Sequence, residues 1–88
     1  MYLGRVTGCV WATAKDPGLN GCKLLILKPV SPDGKDEAGY VISVDTVGAG
    51  NRERVIAVAG SSARMAEGCK DLPIDNAIVG IVDDVHLD

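Results

Sequence analysis

Nucleophiles, paired carboxylates and a glycine-rich loop are the residues of this chain whose types and spacing could support chemistry. Cys69, Ser61 and Ser62 are of the nucleophile type, but each needs a base within hydrogen-bond reach. His86 is the sole imidazole, and nothing in the sequence brings it near any of them. Asp36-Glu37 and Asp83-Asp84 have the composition of an acid and a base. Each pair lies in a charged loop or terminus with no sign of the burial that tunes a pKa, so both read as solvated charge. Gly48-Ala49-Gly50 has the look of a phosphate loop, yet position 53 is Glu53 and the following segment is strand-like. The dinucleotide fingerprint therefore fails, and a turn requiring positive φ is the better reading. Cys9, Cys22 and Cys69 are odd in number, widely spaced and never in a C-x-x-C pair, which argues against a disulfide framework or a zinc knuckle. Buried reduced thiols are expected. No catalytic, metal-ligating or cofactor-binding residue is assigned.

The elements that would hold these residues are mostly strands. Even positions from Tyr2 to Ala14 carry small or apolar side chains, while the odd ones include Arg5, Thr7, Thr13 and Lys15, a period-2 strand over residues 2–15 with its small-residue face inward. Gly4 and Gly8 would let that strand coil sharply or let another backbone come close. Asp16-Pro17-Gly18 and Asn20-Gly21 are turn signals before a second strand at residues 23–28. Pro32-Asp33-Gly34 and the charged residues 35–37 form an exposed, mobile loop. Further strands are expected at residues 40–45, 54–59 and 77–82, with one short helix within residues 61–70, where Ser61 or Ser62 caps the N-terminus and Ala63, Ala66 and Cys69 share a face. Gly68 and Pro73 limit it to about two turns. The expected fold is all-β, a single domain over residues 1–88. It is a small five-stranded antiparallel barrel resembling an OB-fold, partly closed, with its helix between strands four and five.

Three of these strands are apolar on both faces: Leu24-Leu25-Ile26-Leu27, Val55-Ile56-Ala57-Val58-Ala59 and Ala77-Ile78-Val79-Gly80-Ile81-Val82. A barrel strand buries one face and exposes the other, and one short helix cannot cover three strands. An apolar patch beyond roughly 300–600 Å² is rare on a monomer, so sister copies are the expected cover. A longer partner protein, or a two-sided sheet packed within the monomer, is the alternative. The net charge of −3 offers no attraction to phosphate backbones. The sequence has no apolar run near the roughly 20 residues of a membrane span and no secretory signal pattern, so a cytosolic protein is expected with neither nucleic acid nor membrane as partner. A small-barrel binding module for single-stranded nucleic acid or another ligand is the alternative function, though it lacks the basic groove and stacking aromatics that such binding uses.

One ordered set of short motifs is more specific than any of these features. Gly4-Arg5-Val6-Thr7-Gly8, Lys15-Asp16-Pro17, Lys23-Leu24-Leu25 and Lys28-Pro29 are followed by Asp45, Val47-Gly48-Ala49-Gly50, Glu53 and Val55. Gly60-Ser61-Ser62-Ala63-Arg64, Pro73-Ile74-Asp75 and Ile81-Val82-Asp83 complete the series. In this order they resemble the vertex proteins of bacterial microcompartment shells, the ethanolamine-utilisation and carboxysome vertex family, over nearly the whole chain. The resemblance implies a β-barrel subunit without catalytic activity or cofactor. A cyclic homopentamer that caps the five-fold vertices of a cytoplasmic compartment and meets hexameric shell proteins is implied with it. It also implies a narrow axial opening, for which Gly60, Ser61 and Ser62 are candidates. Trp11, Leu25, Ile26, Val55, Val58 and Arg64 are candidates for the subunit interface. Trp11 departs from the family pattern, in which a smaller aliphatic residue is usual.

Overall fold

The structure is a computed structural model that describes residues 1–13 and 15–88, so the expected place of Ala14 in the first strand lies outside the described residues. Five strands form, β1 (Tyr2–Val10), β2 (Leu24–Val30), β3 (Val41–Asp45), β4 (Arg54–Ala59) and β5 (Asn76–Ile81). They close into a barrel in the order β1-β2-β3-β5-β4.

The antiparallel, OB-fold-like sheet expected from the sequence is corrected on two counts. First, the sheet is mixed, because β3 and β5 run parallel with Val44 beside Ala77 and Asp45 beside Ile78. The reason is parity: strands that alternate in direction cannot close a ring of five, so closure forces at least one parallel pair. Second, the expected helix is a 3-10 helix, Gly60–Met65, with no side-chain cap at its N-terminus, and Pro17–Leu19 forms another short 3-10 turn. Ala66 N–H donates to Ala63 O, Cys69 N–H to Ala66 O and Leu72 N–H to Cys69 O, at 3.3, 3.0 and 3.1 Å. The 3-10 helix ends at Met65, where Ala66 turns extended, and Ala63, Ala66, Cys69 and Leu72 then mark successive i→i+3 turns instead of one face of an α-helix.

Two apolar clusters result. Inside the barrel, Val6, Leu25, Leu27, Ala49, Val55, Ala57 and Ile78 pack together. Outside it, residues 60–75 fold back over the sheet, so that Ala63, Cys69 and Ile74 cover Val44 and Ala77, and Leu24 and Val58 pack at the margin. The neighbours Ala77 and Ile78 thus serve opposite sides of one strand. The base of this excursion is closed where Gly60 N–H donates to Asp75 O at 2.8 Å and the Arg64 guanidinium donates to Ile74 O at 3.1 Å. One of the two-sided apolar faces is therefore covered within the subunit, which narrows the expected need for sister copies.

The first strand keeps its small residues inward only as far as Val6. Its register with β2 slips between Val6 and Gly8, so Val6 lies opposite the buried Leu27 but Gly8 and Val10 lie opposite Ile26 and Leu24. Residues directly opposite share a sheet face, and this irregularity turns Gly8 and Val10 to the outer wall. Close backbone approach does not explain Gly4, where a Cβ would meet Leu27 at an ordinary 3.6 Å. Gly18 is different, because a Cβ there would lie 2.9 Å from the Pro73 ring.

Candidate assembly surface

The outer wall can be read from cross-strand register as three bands. Leu3 on β1 lies opposite Ile56 on β4, which lies opposite Gly80 on β5. A Cβ on Gly80 would touch the Ile56 side chain at 3.7 Å. Leu3 and Ile56, with Met1, Val30 and Pro32, line an open apolar groove of 460 Å³. A second row crosses β2, β1 and β4 as Lys28, Arg5 and Arg54. A third, apolar again, crosses β1, β2 and β3 as Gly8, Ile26 and Ile42, where Ile42 is 43% exposed. Residues 60–75 do not cover the first or third band: neither Ile56 nor Ile26 belongs to the outer cluster.

The sequence-level interface candidates separate cleanly. Leu25 and Val55 are 3% and 0% exposed inside the barrel, so neither offers surface to a partner. Ile26 points outward in the third band. Val58 is half-buried against the outer cluster. Trp11, 92% exposed, follows the end of β1. Arg64 is exposed at its edge while its guanidinium holds Ile74 O. Gly60, Ser61 and Ser62 are exposed at the start of the 3-10 helix. Leu3, Ile42, Ile56 and Gly80 were missed as a group, because only the pairing of distant strands brings them together.

The Gly48-Ala49-Gly50 loop is held by carboxylates and not built to hold an anion. The Asp45 side chain, 3% exposed, accepts from Val47 N–H through Oδ1 at 3.0 Å and from Ala49 N–H through Oδ2 at 2.9 Å. Glu53 Oε1 accepts from Gly50 N–H. Lys23 Nζ lies 4.0 Å from Asp45 Oδ2 and donates to Ala49 O at 3.1 Å. Gly48 adopts φ 77°, as a turn of this kind requires. The loop plugs Ala49 into the core and leaves Val47 39% exposed.

The other chemistry-bearing groups stay apart. His86 Nε2 lies 3.2 Å from Asp84 Oδ2 in an exposed pair. Asp36 accepts both guanidinium nitrogens of Arg5, at 2.7 and 3.1 Å, which lowers the Asp36 pKa and raises that of Arg5. The loop expected to be mobile is therefore exposed but tied to β1. The three thiols are not uniformly buried as expected: Cys9 is exposed, Cys22 intermediate and Cys69 buried. Burial pushes the Cys69 thiol pKa up, with Cys22 adding a smaller rise. Among the described residues no group of three or more His, Cys, Asp or Glu could hold a metal ion.

Comparison with known proteins places this surface in context. Residues 1–83 match the family model described as ethanolamine utilisation protein EutN/carboxysome. The chain is 48% identical over 90 residues to the bacterial microcompartment shell vertex protein GrpN of Rhodospirillum rubrum (strain F11), covering 98% of this chain and 97% of that one. Among solved structures, CcmL of Nostoc sp. PCC 7120 aligns with a TM-score of 0.95 at 40% identity, over 100% of this chain and 93% of that one. The structure described as the GrpN pentameric microcompartment shell protein from Rhodospirillum rubrum aligns with a TM-score of 0.92 at 44% identity, over the whole of both chains. This chain belongs to the EutN/carboxysome family of bacterial microcompartment shell vertex proteins.

Proposed function

We propose that the chain is a structural subunit that assembles as a cyclic homopentamer and caps the five-fold vertices of a bacterial microcompartment shell in the cytoplasm. The observation that carries this reading is the pair of outward apolar bands, Leu3-Ile56-Gly80 and Gly8-Ile26-Ile42, half-buried except for the exposed Ile42 and not covered by residues 60–75. Two different patches on one subunit suit a heterologous contact, which closes into a ring when the rotation between neighbours divides a full turn. The pentameric description of the relative from Rhodospirillum rubrum supports five as the number. The role is architectural, and the scattered Cys, Ser and His side chains have no part in it.

The ring fits among hexameric shell proteins of the same compartment, which supply the flat facets while the pentamer supplies curvature. Exposed Trp11 is a candidate contact with a neighbouring subunit. Gly60, Ser61 and Ser62 are candidates for the rim of the axial opening. Co-expression with a hexameric shell protein from the same operon tests the role. Closed polyhedral particles are expected with this chain present, and tubes, sheets or open particles without it. Closed particles that form equally well without it contradict the reading.

A further inference from the structure

The band between the two apolar ones is charged in a way the subunit does not resolve. Arg5 sits directly opposite Lys28 on one side and Arg54 on the other, although like charges placed opposite each other on adjacent strands destabilise a sheet. Arg5 has Asp36 as a counter-ion, and Lys28 Nζ donates to Gly39 O at 3.0 Å. Among the described residues no carboxylate lies within ion-pair distance of Arg52 or Arg54. The chain has no shortage of acid, with 12 Asp and Glu against nine Lys and Arg; its carboxylates are simply elsewhere.

Arg5, Arg52 and Arg54 line one open cleft of 360 Å³ together with Gly34, Val30 and Val82. The three arginines come from β1, the loop before β4 and β4 itself, and their backbones are fixed around that cleft. Arg52 N–H donates to Val6 O at 2.8 Å, Val6 N–H donates to Glu53 O at 3.0 Å, and Val82 N–H donates to Arg54 O at 2.8 Å. Arg52 is held at φ 70°, a conformation that costs a non-glycine residue energy. Guanidinium groups bind carboxylate and phosphate oxygens through paired N–H donors, which a lysine cannot reproduce.

We propose that this cleft is a binding site for a small polyvalent oxyanion, of the phosphate or the polycarboxylate class, held by Arg52 and Arg54 with Arg5 at its edge. The anion supplies the counter-charge that Arg52 and Arg54 lack. The site is independent of the carboxylate-held Gly48-Ala49-Gly50 loop, and it does not depend on the number of subunits in the ring.

The test is calorimetric titration of the assembled protein with pyrophosphate and, separately, with citrate in low-salt buffer, followed by thermal melting with each anion present. Saturable binding is expected for at least one anion, with a matching rise in melting temperature; which anion binds assigns the class. Arg54→Gln and Arg52→Gln should each weaken binding by about tenfold or more, while Lys70→Gln, an exposed cation outside the cleft, should leave it unchanged. Arg52 is exposed, so its variant keeps the test open if Arg54→Gln folds poorly. Absence of saturation with both anions overturns the proposal. So does equal weakening by Lys70→Gln, which would mean diffuse charge attraction. Saturable binding of hexaglutamate with neither small anion bound would make the cleft a protein-docking surface and overturn it as well.

Discussion

Replacing Asp45 should unfold the most specific motif of this chain from within. Both carboxylate oxygens of Asp45 accept backbone N–H groups, from Val47 at 3.0 Å and from Ala49 at 2.9 Å, and the side chain is only 3% exposed. Ala49 is fully buried, so its N–H cannot turn to water without withdrawing Ala49 from the core. Asp45→Ala leaves the buried Ala49 donor unpaired, at about 1–3 kcal/mol, and removes the exposed Val47 bond, worth about 0.5–1.5 kcal/mol, for a total of about 1.5–4.5 kcal/mol. Asp45→Asn keeps one acceptor and sets its amide N–H₂ against the other donor, so about 1–3 kcal/mol is expected. The Lys23 contact adds little, because at 4.0 Å and with a 58% exposed side chain it is a weak surface pair. For a domain of this size each kcal/mol lowers the melting temperature by about 4–8 °C. Urea unfolding followed by circular dichroism measures this, at one fixed subunit concentration because association stabilises the folded state. The order wild type, then Asp45→Asn, then Asp45→Ala is required. An Asp45→Ala variant within about 0.5 kcal/mol of wild type, the range of ordinary surface substitutions, would refute the claim that this carboxylate holds the loop.

Three further outcomes are expected. Ile26→Glu and Ile56→Glu should each yield folded subunits that no longer form rings, whereas Leu25→Glu should fail to fold, because Leu25 is 3% exposed inside the barrel while the other two face outward; circular dichroism with light scattering separates the cases. Gly18→Ala should destabilise by about 1–3 kcal/mol through overpacking, since its Cβ would lie 2.9 Å from the Pro73 ring, and a denaturation midpoint unchanged from wild type would contradict this. Asp36 titrates below the ordinary carboxylate range because it accepts hydrogen bonds from Arg5 and feels its charge. Its folded pKa is depressed, so its contribution to stability is complete above the unfolded value and disappears as pH falls through the folded one. Carboxyl NMR titration should show the lowered midpoint, and Arg5→Gln should return it to the ordinary range.

Much of the fold is legible in the sequence, and the failures have definite causes. The apolar runs mark β2, β4 and β5 because β-branched and aliphatic residues bounded by turn residues form strands wherever they occur. The sheet's mixed character was available from a simpler argument, since five strands cannot alternate all the way around a closed barrel. The run of tight turns after the 3-10 helix was also legible in the spacing of Ala63, Ala66, Cys69 and Leu72, but a spacing of three looks alike at periods of 3.0 and 3.6. The irregularity after Val6 was not readable, because no residue type announces a register slip. Strict alternation from Val6 would turn Gly8 inward, whereas the slip sets it opposite Ile26. The assembly surface suffered most: that Leu25 and Val55 face the core while Ile26 and Ile56 face outward follows from register, and register is set by strands far apart in the chain. The same holds for the row of Lys28, Arg5 and Arg54, which in sequence is three unremarkable charges.

The mass of the purified protein by native mass spectrometry bears most directly on whether sister copies cover the two outward apolar bands. A single dominant species of five times the 9.1 kDa subunit is expected, still present on dilution to micromolar concentration. A stable monomer or dimer under the same conditions would contradict the account.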